Sequence, residues 1–171
     1  MKTLLIAAAL FAPGSAWAAN GDIGCIEAKL GPAAMQRIGA RVVAAVEAGK
    51  AGDPIADDRD ALLAARAACQ DANGWSGNAT QLAVSYALAT ATRQGAEPVL
   101  KRNGFDPVAL ATRYSAMAAV DRRSLVDGDP SNKAKDAVAV AAVDPKRKYL
   151  VMLWFSTLAA LEFDKADFAA A

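Results

Sequence analysis

Apolar residues recur every three or four positions along most of this chain. A clear example lies at 32–48, where Met35, Ile38, Val42 and Val46 fall on one helical stripe. Strict alternation of apolar and polar residues, the pattern of a half-buried strand, nowhere persists in a run of β-branched residues. Alanine makes up about a quarter of the chain and is the best helix former of all residues. The sequence therefore predicts an all-α fold.

Proline and glycine residues divide this pattern into helices. Four Asp-Pro dipeptides occur, and an Asp N-cap followed by proline is typical of a helix start. Gly31-Pro32 and Glu97-Pro98 are weaker signals of the same kind. The predicted helices, about seven or eight, cover 23–30, 32–48, 54–72, 79–94, 97–102, 107–123, 133–143 and 145 to 163 or beyond. No linker separates two domains, so we predict a single helical domain over 19–171.

Residues 1–18 have the organisation of a secretory signal peptide. Lys2 precedes an apolar segment, Pro13 and Gly14 break it, and Ala16-Trp17-Ala18 is an A-x-A cleavage site. The mature chain would carry 18 basic and 18 acidic side chains. This balance argues against a nucleic-acid partner, which needs a basic surface. We therefore predict a periplasmic or secreted protein.

The two cysteines, Cys25 and Cys69, both lie in the predicted mature chain. In an oxidising compartment an even number of cysteines indicates a disulfide. A metal-binding pair or a reactive thiol are the alternatives. Because the chain has no histidine and no C-x-x-C motif, we predict the disulfide.

The apolar segment at 149–163 raises the question of a membrane anchor. Its roughly 15 residues would span about 22 Å as a helix, whereas a bilayer core needs about 30 Å. Ser156 and Thr157 also interrupt it. The sequence therefore predicts no transmembrane anchor in the mature chain, but a buried helix of a soluble bundle with Trp154 in the core. A surface-seated amphipathic helix and an exposed partner groove remain alternatives.

Candidate binding residues are basic or aromatic. Lys146, Arg147 and Lys148 precede the apolar segment and either solvate the start of its helix or form an anion site, for a phospholipid headgroup or an acidic patch. Trp75, in the NGWSGN turn, either folds back on the helices or contacts a partner. Further candidates on the helices are Tyr86, Arg113 and Tyr114.

Catalytic chemistry is restricted because the chain has no histidine. This excludes Ser-His and Cys-His nucleophile pairs and the commonest transition-metal ligand. Residues 127–138 begin like a calcium-binding loop but end at Val138, where a bidentate Glu is required. Glu162 lies in an apolar setting that could raise its pKa and suit a general acid, or it is an exposed residue near a helix end. We therefore predict no metal, no cofactor and no assigned catalytic residue.

The leading hypothesis is a non-enzymatic binding protein for another exported protein, acting through a helical groove or the Trp75 turn. This hypothesis predicts an exposed apolar patch around Trp75. A carrier of an apolar small molecule, held around Trp154 and Phe155, would instead have an internal pocket. A carboxylate-dependent hydrolase of cell-wall glycan would need two carboxylates facing each other across a cleft.

Overall fold

The structure of the protein is a computed structural model. It describes residue 19 and residues 21–49, 53–142 and 144–171, except for the side chains of residues 145 and 146. The predicted signal peptide at 1–18 and the Lys146 side chain lie outside these residues. Within them the chain forms seven α-helices and no strand, which confirms the all-α prediction. The helices are α1 (Cys25–Ala48), α2 (Arg59–Asn73), α3 (Gly77–Arg102), α4 (Pro107–Ser115), α5 (Ala119–Ser124), α6 (Asn132–Ala141) and α7 (Pro145–Ala169).

Helix α3 is the centre of the bundle and packs extensively against both α1 and α7. Helix α1 bends at Gly31, which has a φ of 73°, where the sequence predicts a joint between two helices. The predicted disulfide is confirmed, because Cys25 at the start of α1 is bonded to Cys69 in α2. In the described part of the chain, none of the helices is long and apolar enough to cross a membrane.

Helix α7 contributes to two large groups of buried apolar residues. One lies among α1, α3, α4, α6 and α7, with Leu125 directly after α5, and includes Trp154 and Phe155. The other lies among α1, α2 and α3 and includes Phe168, near the end of α7. The apolar segment at 149–163 therefore forms most of a buried helix.

Two of the four Asp-Pro dipeptides start helices as predicted. Asp106 accepts the amide hydrogen of Val108 at 2.9 Å, and α4 begins at Pro107; α7 begins at Pro145. Of the other two, Asp53-Pro54 does not start the helix predicted from 54, and Asp129-Pro130 precedes a helix that begins at Asn132, one residue before the predicted start at 133. A turn and a short 3₁₀ helix follow the dipeptide at 53–54, and α6 begins with Ser131 as its N-cap. The Ser131 side chain thus caps α6, whereas α2 begins after Asp58 without a side-chain capping hydrogen bond.

The predicted break at 95–96 is also wrong, because α3 continues through it. A β-carbon on Gly95 would come within 2.5 Å of the carbonyl oxygen of Gly39 and 2.9 Å of the amide nitrogen of Ala40. Such distances are shorter than any ordinary contact. Glycine therefore lets the backbones of α1 and α3 touch, and it does not end the helix.

The predicted helix at 107–123 is in fact two helices. Helix α4 ends at Ser115, α5 begins at Ala119, and residues 116–118 form a joint between them. The joint contains no proline or glycine, and its residues, Ala116, Met117 and Ala118, are all compatible with a helix. The sequence therefore contains no signal for a break here. The joint and the two helices around it position the candidate site.

Candidate functional site: a groove between α4 and α6

A surface groove of about 360 Å³ lies between α4 and α6. Apolar side chains occupy both of its walls, and a basic residue stands on each. The first wall, from α4 and the joint, consists of Arg113, Ala116 and Met117; the second, from α6, consists of Lys133, Asp136, Ala137 and Val140.

The α6 wall is one continuous face of its helix, since its residues follow i, i+3, i+4, i+7 spacing. Residues two positions apart in a helix point about 200° apart. Val138 and Val140 therefore cannot both face the core. Val138 is buried and Val140 is 71% exposed. Val140 therefore contributes an exposed apolar side chain to the groove.

Asp121 of α5 holds the α6 wall in place. Its buried carboxylate accepts the hydroxyl hydrogen of Ser131 at 2.8 Å. The amide of Ser131 donates to the hydroxyl oxygen of Ser124 at 2.9 Å, and that hydroxyl donates to the Asp121 carbonyl at 2.6 Å. Ser131 also caps α6 by accepting from the Ala134 amide at 3.1 Å. These bonds fix the beginning of α6 to α5.

Arg122, the next residue, holds the opposite wall. Its guanidinium donates to the Met117 carbonyl at 2.6 Å and to both carboxylate oxygens of Glu162 at 2.9 and 3.1 Å. The hydroxyl of Tyr114 donates to Glu162 at 2.6 Å, and the Arg122 guanidinium carbon lies 5.6 Å from the centre of the Tyr114 ring. This cluster fastens α4 and the joint to α5 and α7.

The charges of this cluster change the expected behaviour of Glu162. Hydrogen bonds from Arg122 lower the pKa of Glu162, although partial burial opposes them. The alternative in which an apolar setting raises this pKa is therefore wrong, and Glu162 is an exposed residue, as in the other alternative. Burial, and secondarily Glu162, raise the pKa of Tyr114.

Asp164, two residues further along α7, is a carboxyl whose pKa the apolar core does raise. Burial raises its pKa, and a hydrogen bond with Ser85 opposes the shift. Its Oδ2 atom is buried and has no hydrogen-bond partner among the described residues. The raised pKa follows from this burial of a carboxylate oxygen without a donor.

Trp75 lies in the core. Of the two alternatives for the NGWSGN turn, the structure therefore has the one in which the turn folds back on the helices. Trp75 is 4% exposed, and its ring packs edge-on against Phe168 with 5.2 Å between the ring centres. Tyr86 is half-buried against the same group of residues. The apolar surface expected of a binding protein is therefore not found at Trp75.

The other predicted binding residues lie apart from Trp75. Arg113 is exposed in the groove, and Tyr114 is buried behind it. Arg147 is exposed and Lys148 half-buried in the first turn of α7; neither forms an ion pair with a residue that the structure describes.

Sequence reasoning missed the α6 side of the groove. A signal was available, since Val138 and Val140 cannot share a helix face. The role of Arg122 left no such signal, because its partner Glu162 is 40 residues away.

Comparison with known proteins gives no match: no family model, curated protein or solved structure is similar to this chain. Its function is therefore inferred from the groove and from the chemistry of the residues around it.

Proposed function

We propose that this chain is a non-enzymatic, exported binding protein that uses the groove between α4 and α6 to contact another exported protein. The observation that carries the proposal is an apolar groove with a basic residue on each wall. Neither Arg113 nor Lys133 forms an ion pair within the described residues. Export is supported by the signal-like pattern at 1–18 and by the disulfide, which persists in oxidising compartments.

Another groove shows why the pairing of cations matters. It has a volume of about 280 Å³ and is lined by Arg41. There Arg41 lies 2.9 Å from Asp57 and 3.2 Å from Asp58, so its charge is already neutralised within the protein. Arg113 and Lys133 keep their charges available, which favours the α4–α6 groove as the interaction surface.

The two other hypotheses have less support. A carrier would hold its ligand around Trp154 and Phe155, but these side chains are only 3% and 0% exposed and pack against other core residues. A glycan hydrolase needs a free carboxylate pair. Glu162 is instead held by Arg122, and Asp136 is the one carboxylate that lines the α4–α6 groove.

Site-specific photo-crosslinking in the native host would test the proposal. A photoreactive amino acid would replace Val140 in the groove and, in a control, Val120 on α5. The two valines are matched because they are 71% and 75% exposed, and Val120 does not line the groove. A third variant would combine the probe at 140 with Arg113→Glu.

We expect a discrete crosslinked protein from position 140, little from position 120, and a reduced yield with Arg113→Glu. The captured protein would then be purified and its affinity measured for the unmodified chain. Equal crosslinking from both positions, or no binding by the purified candidate, would refute the proposed role of the groove.

A further inference from the structure

We propose that the occupant of the α4–α6 groove is an acidic amphipathic helix of the partner protein; this rests on the proposed function and adds the chemistry of the partner. The helix would place apolar side chains against Met117, Ala137 and Val140. Its carboxylates would meet Arg113 on one wall and Lys133 on the other. Three features of the groove support this occupant.

The first feature is that the groove offers side chains rather than free backbone groups. The α6 wall is helical, so its backbone groups bond largely within the helix. At the joint, the amides of Ala116 and Met117 donate to the carbonyls of Thr112 and Tyr114, and the Met117 carbonyl accepts from Arg122. An extended peptide would find no strand edge for its backbone among the described residues and would gain no backbone hydrogen bonds from the groove. A helix satisfies its backbone internally and presents only side chains, as in helix-in-groove recognition. The exposed face of α6 extends about 10 Å from Lys133 to Val140, the length of about two helical turns.

The second feature is the distribution of charge. Most other arginines on the helices around the groove are already paired: Arg122 with Glu162, and Arg123 with Asp167 at 2.7 Å. Arg113 and Lys133 stand on opposite walls without such partners within the described residues. Carboxylates on both sides of an apolar stripe would complement them, which is the charge pattern of an acidic amphipathic helix.

Asp136 adds a constraint on the register of that helix. It stands on the same face of α6, between Lys133 and Val140. A carboxylate of the occupant opposite Asp136 would be repelled, whereas a neutral or basic residue there would be accepted. The groove should therefore discriminate among acidic helices by the position of their charges.

The third feature is that the walls are held before any partner binds. Asp121 fixes the start of α6, and Arg122 fixes Met117 and the joint, so the two walls are anchored through consecutive residues of α5. Binding then requires little ordering of the protein, which favours measurable affinity even for a small contact area.

The test uses a synthetic probe with the full mature chain. The probe is a capped peptide of about 18 residues, long enough to form a helix, with leucines at i, i+3, i+4, i+7 spacing and glutamates beside them. A second peptide replaces every glutamate with lysine. Binding would be measured by fluorescence anisotropy at two salt concentrations for the natural chain, for Arg113→Glu/Lys133→Glu and for Asp136→Asn.

A control variant with the same change in net charge is Arg93→Glu/Lys135→Glu. Both residues are exposed, and neither lines the groove. Circular dichroism would check that every variant remains helical.

We expect the natural chain to bind the acidic peptide. The affinity for this peptide should fall at least tenfold in Arg113→Glu/Lys133→Glu and change less than threefold in the control variant. Asp136→Asn should strengthen binding, and added salt should weaken it. Equal binding of both peptides, or equal effects of the groove and control variants, would overturn the acidic-helix proposal. A partner crosslinked from position 140 without acidic-peptide binding would contradict only this inference. Peptide binding without any crosslinked partner would support it and contradict the proposed function.

Discussion

Replacing Gly95 with alanine should destabilise the protein, although alanine is the better helix former. Gly95 lies within α3, where it faces Gly39 of α1. The added methyl carbon would stand 2.5 Å from the Gly39 carbonyl oxygen and 2.9 Å from the Ala40 amide nitrogen. These are backbone atoms, so no side-chain rotation can relieve the overlap. Helices α1 and α3 would have to separate by several tenths of an ångström or more.

The expected effect is the difference between two opposing contributions. Overpacking a close contact costs about 1–3 kcal/mol, and a collision with backbone favours the upper part of this range. Alanine in a helix interior recovers roughly 1 kcal/mol relative to glycine. The free energy of unfolding should therefore fall by about 2 kcal/mol. For a domain of this size, the melting temperature should fall by roughly 4–8 °C.

Gly77→Ala is the matched control for this measurement. Gly77 is also in α3, and a β-carbon there would meet no atom within 4 Å. Its free energy of unfolding should stay unchanged or rise by up to about 1 kcal/mol. Chemical denaturation followed by circular dichroism would measure both variants. If Gly95→Ala is as stable as Gly77→Ala, the reasoning is wrong and the backbones of α1 and α3 do not touch at this point.

Three further substitutions test the core and the cluster around Arg122. Asp164→Asn should stabilise the protein at pH 7, because burial raises the pKa of Asp164 and so disfavours its charged form in the folded state. The gain in the free energy of unfolding should shrink as the pH falls through that pKa toward the ordinary Asp value. A loss of stability at pH 7 would contradict this prediction. Glu162→Gln should destabilise by about 1 kcal/mol at pH 7, discounted for partial exposure. Because Arg122 lowers the pKa of Glu162, this loss should fade as the pH falls below about 4.3 and through the folded-state pKa, and an equal loss at pH 3 would refute the ion pair. Replacing both Cys25 and Cys69 with alanine opens a loop that the disulfide closes across a separation of 44 residues. The free energy of unfolding should fall by about 4 kcal/mol, and an unchanged denaturation midpoint would contradict this.

The sequence by itself determined the features that depend on neighbouring residues. Helical periodicity and alanine content specified the all-α fold, because the preference of a segment for helix is largely local. The dipeptide Asp106-Pro107 marked a true helix start, since capping involves adjacent residues. The absence of histidine limited the available chemistry without any structural information.

Only the tertiary structure decided which surfaces are buried and which groups are paired. Trp75 packs on Phe168, and Arg122 lowers the pKa of Glu162 from 40 positions away. Gly95 resembles a helix breaker until Gly39 is placed against it. The groove likewise exists because consecutive residues of α5 hold α6 and the joint after α4. The first three of these contacts join residues 40 or more positions apart, and those of α5 cross the joints between helices. The helix preference of each segment therefore carries no information about them.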